Sequence, residues 1–215
     1  MGRTLTWALS IVCATATLSA VQMTLDARAV TEAIAIGQSR VDADRARFHA
    51  PYRVPVNKPP IDFVEVETPF RRITLHAESQ ARIGNRLFGQ RQALDMLNAA
   101  PAALEVWVEL TFHPLNTYVG VPPFEVWLTD RSGVRIRPRA LERVPRYGAR
   151  VDGEPSRLAV PGGLAVAGGS QPMLGGTIIA RFDGGPLNAT GAYDVLIVDG
   201  KAELARASVN FARLR

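Results

Sequence analysis

The segment Leu104-Glu105-Val106-Trp107-Val108-Glu109-Leu110-Thr111-Phe112-His113 alternates apolar and polar residues along its whole length. Leu104, Val106, Val108, Leu110 and Phe112 fall on one face; Glu105, Trp107, Glu109, Thr111 and His113 fall on the other. Successive strand side chains point to opposite sides, so this pattern predicts a strand with one face in a core. Downstream, Phe124, Val126 and Leu128 repeat the pattern over 124–129, and Asp130-Arg131-Ser132-Gly133 reads as a hairpin turn with a return over 134–139. Strands are expected again over 177–182, 193–198 and 203–211, with Asp199-Gly200 as a short hairpin turn. Upstream, Val64 and Val66 alternate with Glu65 and Glu67, and Ile73, Leu75 and Ala77 alternate with Thr74, His76 and Glu78. These segments predict two further strands.

Helical spacing occurs twice. Val30, Ile34 and Val41 predict a helix over 24–47, although Gly37 weakens its middle. Ile83, Leu87, Leu94 and Leu97 predict a second over 79–98, with Ser79 as its cap. Pro51, Pro55, Pro59 and Pro60 between them imply an extended connector. Residues 145–172 carry many Pro and Gly and read as irregular.

Seven or eight short alternating strands imply a mainly β fold, an immunoglobulin-like antiparallel β-sandwich with an N-terminal helix and one helix inserted between strands. The chain divides into a signal segment (1–23), a helix with a Pro-rich connector (24–60), and a sandwich domain (61–215). Val64, Val66, Leu75, Val106, Val108, Leu110, Phe112, Val126, Leu128, Ile178, Val195, Ile197 and Val209 are the expected core.

The N-terminus bears on location. No charge occurs from Thr4 to Leu25, Arg3 precedes the run, and Ala14-Thr15-Ala16 offers a small-residue exit. A basic start, an apolar centre and small residues describe a secretory signal, so the protein is expected to be exported to the periplasm or the medium. Cleavage near Ala16, or at Ala27-Arg28-Ala29, competes with a retained membrane anchor and with lipidation of Cys13, where Val12 departs from the usual small residue. Cys13 is the only cysteine, so with the signal removed the mature chain has no cysteine, and in any case no disulfide partner or cysteine metal site is expected. The net charge of +5 comes almost entirely from arginine, since Lys58 and Lys201 are the only lysines. A moderately basic exported protein suits an anionic surface or an acidic glycan; nucleic acid is not expected.

Motifs for catalysis are absent: there is no G-x-S-x-G, H-E-x-x-H or P-loop. The glycines over 162–176 do not open a helix after a strand, so they form no nucleotide fingerprint. His76 and Glu78 would share a strand face, but no third and fourth metal ligands join them. Glu65 with Glu67, and Glu105 with Glu109, form carboxylate pairs of the kind a glycosidase uses, yet glutamates alternating with valines are the ordinary wet face of a sheet. No catalytic residue, metal or cofactor is expected.

Three features remain as candidate binding residues. Arg135, Arg137 and Arg139 share one face of a strand inside an arginine-rich stretch that runs to Arg150. Such a row can grip an anionic polymer or head group, although charge and Pro138 also protect a sheet edge. Trp107 and Trp127 lie on polar faces of successive strands and are expected to touch, either beneath a helix or as an open platform for a sugar ring or partner. His113, Asn116 and Tyr118 belong to a proline-rich loop at one end of the sandwich, where such folds contact partners. The expected function is a non-catalytic exported module for binding or envelope architecture, with a protein or glycan partner. The alternative is a hydrolase of an envelope or extracellular polymer using His76, His113 and nearby glutamates.

Overall fold

The computed structural model describes residues 20–99, 103–113, 116–148 and 173–215. The apolar start with Cys13, Arg150 and the glycine-rich run over 162–172 lie outside them. The described residues form nine strands and four α-helices, in the order α1 (Ala27–Gly37), α2 (Asp42–His49), β1 (Arg53–Lys58), β2 (Ile61–Glu67), α3 (Pro69–Arg82), α4 (Gln90–Ala99), β3 (Ala103–Thr111), β4 (Glu125–Asp130), β5 (Arg135–Ile136), β6 (Ala140–Tyr147), β7 (Met173–Asp183), β8 (Ala192–Asp199) and β9 (Ala202–Asn210).

The period-two segments pair antiparallel into a five-stranded sheet, β1-β2-β3-β7-β6, and a four-stranded sheet, β5-β4-β8-β9. Val64, Val66, Val106, Val108 and Leu110 face Val126, Leu128, Val195, Ile197 and Val209 across a dry interior. Phe112 and Ile178 are buried with them. The fold is therefore mainly β, with two antiparallel sheets packed as a sandwich, because one apolar face per sheet leaves water only by meeting another. Leu75 is the exception in the expected core: it lies half-buried on α3.

Several expectations are corrected. The segment read as a strand over 73–77 is the middle of α3. Phe70, Ile73 and Ala77 are among its buried residues, a helical spacing that a short alternating run conceals. Thr68 caps this helix by accepting the Arg71 N–H (3.2 Å), and Pro69 occupies the first turn, where a missing N–H costs nothing. The helix expected over 79–98 is split: its start is the last turn of α3 and its end is α4. Gly84, at φ +79°, ends α3, and Ile83 and Leu87 stand exposed in the link. The helix expected over 24–47 is two helices. Asp26 caps the first (2.7 Å to the Ala29 N–H), and Gly37 ends it where α1 meets α3. A Cβ there would sit 2.8 Å from that of Ala77, so only glycine allows this approach. The Pro-rich connector is edge strand β1, where Pro55 is tolerated. The strand expected over 134–139 shrinks to Arg135–Ile136, and β6 forms where no strand was expected.

The helices have their own small core of Ala29, Val30, Ala33, Ile34, Phe70, Ile73, Ala77, Phe88 and Ala93. Their apolar faces are spent on one another. Among the described residues no helix is long and apolar enough to cross a membrane.

Candidate functional site

The helical layer meets the sandwich beside the outer face of β1 and β2. Because α3 starts two residues after β2, Arg71 in its first turn folds back beneath the sheet end and is only 4% exposed. Its guanidinium donates to the Val66 carbonyl (2.7 Å), to Glu65, and to His49 Nδ1 (3.4 Å), and lies 4.8 Å from the Tyr52 ring centroid. His49 closes α2, and its Nε2 lies 3.1 Å from Glu78 on α3. Glu78 also receives Arg82 (2.6 Å) and approaches Arg45 (3.4 Å). Since Nδ1 accepts from Arg71, the network assigns the imidazole proton to Nε2, which donates to Glu78. Burial, and then the Arg71 charge, hold the His49 pKa below its ordinary value against the pull of Glu78. The imidazole is thus neutral with both nitrogens occupied. Burial likewise pushes the Tyr52 phenol up; its hydroxyl donates to the Arg215 carbonyl (3.2 Å) and accepts the Arg215 N–H (3.0 Å).

Outside this network an open cleft of about 440 Å3 is lined by Ala46, His49, Ala50, Arg53, Pro55, Glu65 and Arg71. Arg53 lies over the Phe63 ring at 3.5 Å and has no carboxylate partner among the described residues. Register places Arg53, Glu65, Trp107 and Ile179 side by side across β1, β2, β3 and β7. Trp107 stands half-buried in mid-face, its indole N–H donated to Glu105 (3.0 Å). Around it the carboxylates are paired. Glu105 meets Arg181 (3.0 Å) and Arg72 (3.3 Å), Glu109 meets Arg146 and Thr177 (2.7 Å), and Glu142 meets Arg181 (2.9 Å). Buried Glu67 has its pKa raised by desolvation despite Arg72 at 2.6 Å.

The other expected binding residues are dispersed. Trp127 is on β4, in the other sheet, so it lies on the opposite outer face and does not touch Trp107. The connection between β3 and β4 crosses from one sheet to the other, so the two strands do not pair. Neither indole is covered by a helix core. Trp127 donates to Glu125 (3.1 Å) and carries Arg137 at 4.6 Å over its ring. Arg135 is exposed opposite Thr129. The Arg139 N–H bonds to Arg181 (2.7 Å) and its side chain lies 3.4 Å from Asp183, both in the five-stranded sheet. The expected arginine row therefore does not exist: the chain changes sheets within it. Arg143 spans the sandwich to the Pro122 and Phe124 carbonyls (3.2 and 3.0 Å).

His113, Asn116 and Tyr118 lie beyond the far end of β3. Asn116 donates to the His113 and Met173 carbonyls (2.8 and 3.0 Å) and accepts the Tyr118 N–H (2.9 Å), so its amide holds the loop together. Tyr118 packs on Phe112 at 4.6 Å. His76 is on α3 against Phe88 (4.7 Å), a strand's length from His113. On a helix His76 and Glu78 no longer share a face. Among the described residues no three His, Cys, Asp or Glu side chains gather to hold a metal. A cavity of about 530 Å3 lies between the β4–β5 turn and the loop before β8, where Asp130 accepts from Ser132 and Val134 and Asn188 accepts from Thr190. Hydrogen bonds from Ser132 and Val134 hold the Asp130 carboxyl below the usual range.

Sequence reading did not single out Arg53, Phe63, Arg71 or His49. The available signal was Thr68-Pro69 as a helix start, which would have set Arg71 and Arg72 one turn from Glu65 and Glu67. Comparison with protein-family models, curated proteins and solved structures finds no match.

Proposed function

We propose that the chain is an exported, non-catalytic binding module of the cell envelope, built on an immunoglobulin-like sandwich and engaging a protein or glycan through the outer face around Trp107. The order β2-β3-β7-β6 has the sense of strands A-B-E-D, and β5-β4-β8-β9 that of C′-C-F-G, which supports the finer fold assignment; β1 is an added edge. Tyr193 near the start of β8 accepts the Asn188 N–H at 2.6 Å, in the manner of the tyrosine that locks the corner before strand F. Export rests on the N-terminal pattern. Buried Val21 fills the core and bonds through its N–H to Ala189 (3.0 Å), which favours cleavage near Ala16, a cut that retains it, over one after Ala29.

The observation that carries the binding reading is Trp107: a large, half-buried aromatic in mid-face, outside the helix core and paired in register with Glu65 of the open cleft. The non-catalytic reading is supported by the engagement of both His49 nitrogens and by the pairing of Glu65 with Arg71. The test is retention of the purified chain on isolated envelope material. Trp107→Ala is expected to abolish retention with the fold intact by circular dichroism, and Trp127→Ala to leave it unchanged. Retention independent of Trp107 overturns the reading.

A further inference from the structure

Building on that reading, we propose that the cleft and the Trp107 face together form a site for an acidic oligosaccharide, with a sugar carboxylate on Arg53 and a sugar ring on Trp107. Arg53 is an arginine at the cleft without a carboxylate of its own, and its stacking on Phe63 holds the guanidinium flat with its N–H fork open. A planar fork of that kind accepts a carboxylate through two parallel hydrogen bonds. Beside it, Glu65 is neutralised by Arg71, so it does not repel an anion and its oxygens remain acceptors for sugar hydroxyls. Arg71 is itself buried and fixed by three partners, which makes the cleft floor rigid before any ligand arrives.

One strand further on, Trp107 offers an indole face, with Ile179 beyond it. Arg53 and Trp107 are two strand spacings apart, about 10 Å, so the site matches a chain of sugars better than one sugar. The cleft volume of about 440 Å3 falls within the range of small-molecule sites. Local charge favours an anion, since Arg53 and Arg71 face Glu65 alone among the ionised groups of the lining.

The experiment is calorimetric titration of the full chain with a tetrasaccharide of uronic acids and, in parallel, with a glucose tetrasaccharide. The uronate is expected to bind more tightly, by about tenfold for one charge-assisted contact, and to weaken with salt. Arg53→Gln is expected to remove that preference, and Trp107→Ala to weaken both sugars, each variant melting with the parent. Lys58→Gln, an exposed cation elsewhere on β1, is expected to change nothing. Equal binding of the two sugars, no binding of either, or uronate binding indifferent to Arg53→Gln overturns the proposal. Trp107-dependent retention on envelope material that ignores Arg53 overturns the acidic sugar and leaves the binding module standing. Loss of that retention dependence overturns both.

Discussion

The interior between the sheets and the joint beneath α3 are both buried, but opposite physics holds them. The interior is aliphatic: Val106, Val108, Leu110, Val126, Leu128 and Ile197 exclude water and need only fit. The joint is ionic: Arg71 binds Glu65, Val66 and His49, and Glu78 gathers His49, Arg45 and Arg82. Apolar packing is non-directional, so its sequence pattern is periodic and its tolerance to conservative change is wide. A buried ionic network is directional, and each member leaves another stranded when removed. The sandwich is thus a scaffold by area, and the helical layer is docked to it by a few specific bonds.

The largest expected effect comes from carrying the joint's chemistry into the interior. Val108 is fully buried between Val64 and Ile178 on the neighbouring strands. Val108→Asp buries a charge with no partner and is expected to cost about 5 kcal/mol or more, which rivals the whole stability of a domain. Circular dichroism should show loss of the folded β spectrum. A soluble variant melting with the parent would break the comparison by showing that the interior admits water.

The reverse exchange is Arg71→Met, which strands Glu65 and the Val66 carbonyl. The expected cost is about 3–5 kcal/mol by urea unfolding, typical of removing one partner of a buried pair. A companion Glu65→Met should recover part of it, because an apolar pair of similar volume is tolerated. A cost near zero for Arg71→Met alone would mean that water reaches the joint.

These contrasts explain what could be read from the residues. Period-two runs at 61–67, 104–113, 124–129, 177–182, 193–198 and 203–211 were legible because burial on one face stamps an alternation on them. The Asp199-Gly200 turn was legible because its geometry demands φ > 0, and Gly200 stands at φ +58°. The segment at 73–77 was misread because five residues fit both periods, and only Phe70 with Ile73 and Ala77 separates them. Edge strand β1 was hidden by Pro55, which an edge accepts and a central strand refuses. The cleft was not legible: Arg53, Phe63 and Arg71 meet through strand register and the return of α3, and neither writes a local pattern. The separation of Trp107 from Trp127 was equally hidden, since a loop's length does not say whether it turns back or crosses to the second sheet.

The joint should also respond to acid where the interior does not. His49 has a folded pKa below its unfolded value near 6.5, so the unfolded chain binds the proton first. The stability it contributes is present above about pH 6.5 and is lost as pH falls through the folded pKa. Glu67 has the opposite sign: its raised pKa favours the folded state on the acid side and loses that contribution as pH rises through it. The parent minus His49→Gln difference isolates the histidine. Urea midpoints for the parent are expected to fall more steeply below pH 6.5 than those of the variant. Parallel curves would show that His49 ionises freely and that the Arg71 contact does not hold its proton state.

The smallest expected effect lies on the opposite outer face, where Arg137 covers Trp127 at 4.6 Å. This pair resembles the joint in chemistry, a guanidinium on an aromatic ring, as Arg71 is on Tyr52. It differs in solvent, for Arg137 is exposed and Arg71 is not. A cation over an aromatic face contributes about 0.5–1 kcal/mol at an exposed site and more when water is removed. Arg137→Ala is therefore expected to cost under about 1 kcal/mol, with a double-mutant cycle against Trp127→Leu assigning most of that to the ring contact. The same cycle on Arg71 and Tyr52 should give a larger coupling, because both partners are buried and tied to Val66 and Arg215. Equal couplings would mean that burial adds nothing to the contact, and the distinction between a wet face and a dry joint would fail where the chemistry is most alike.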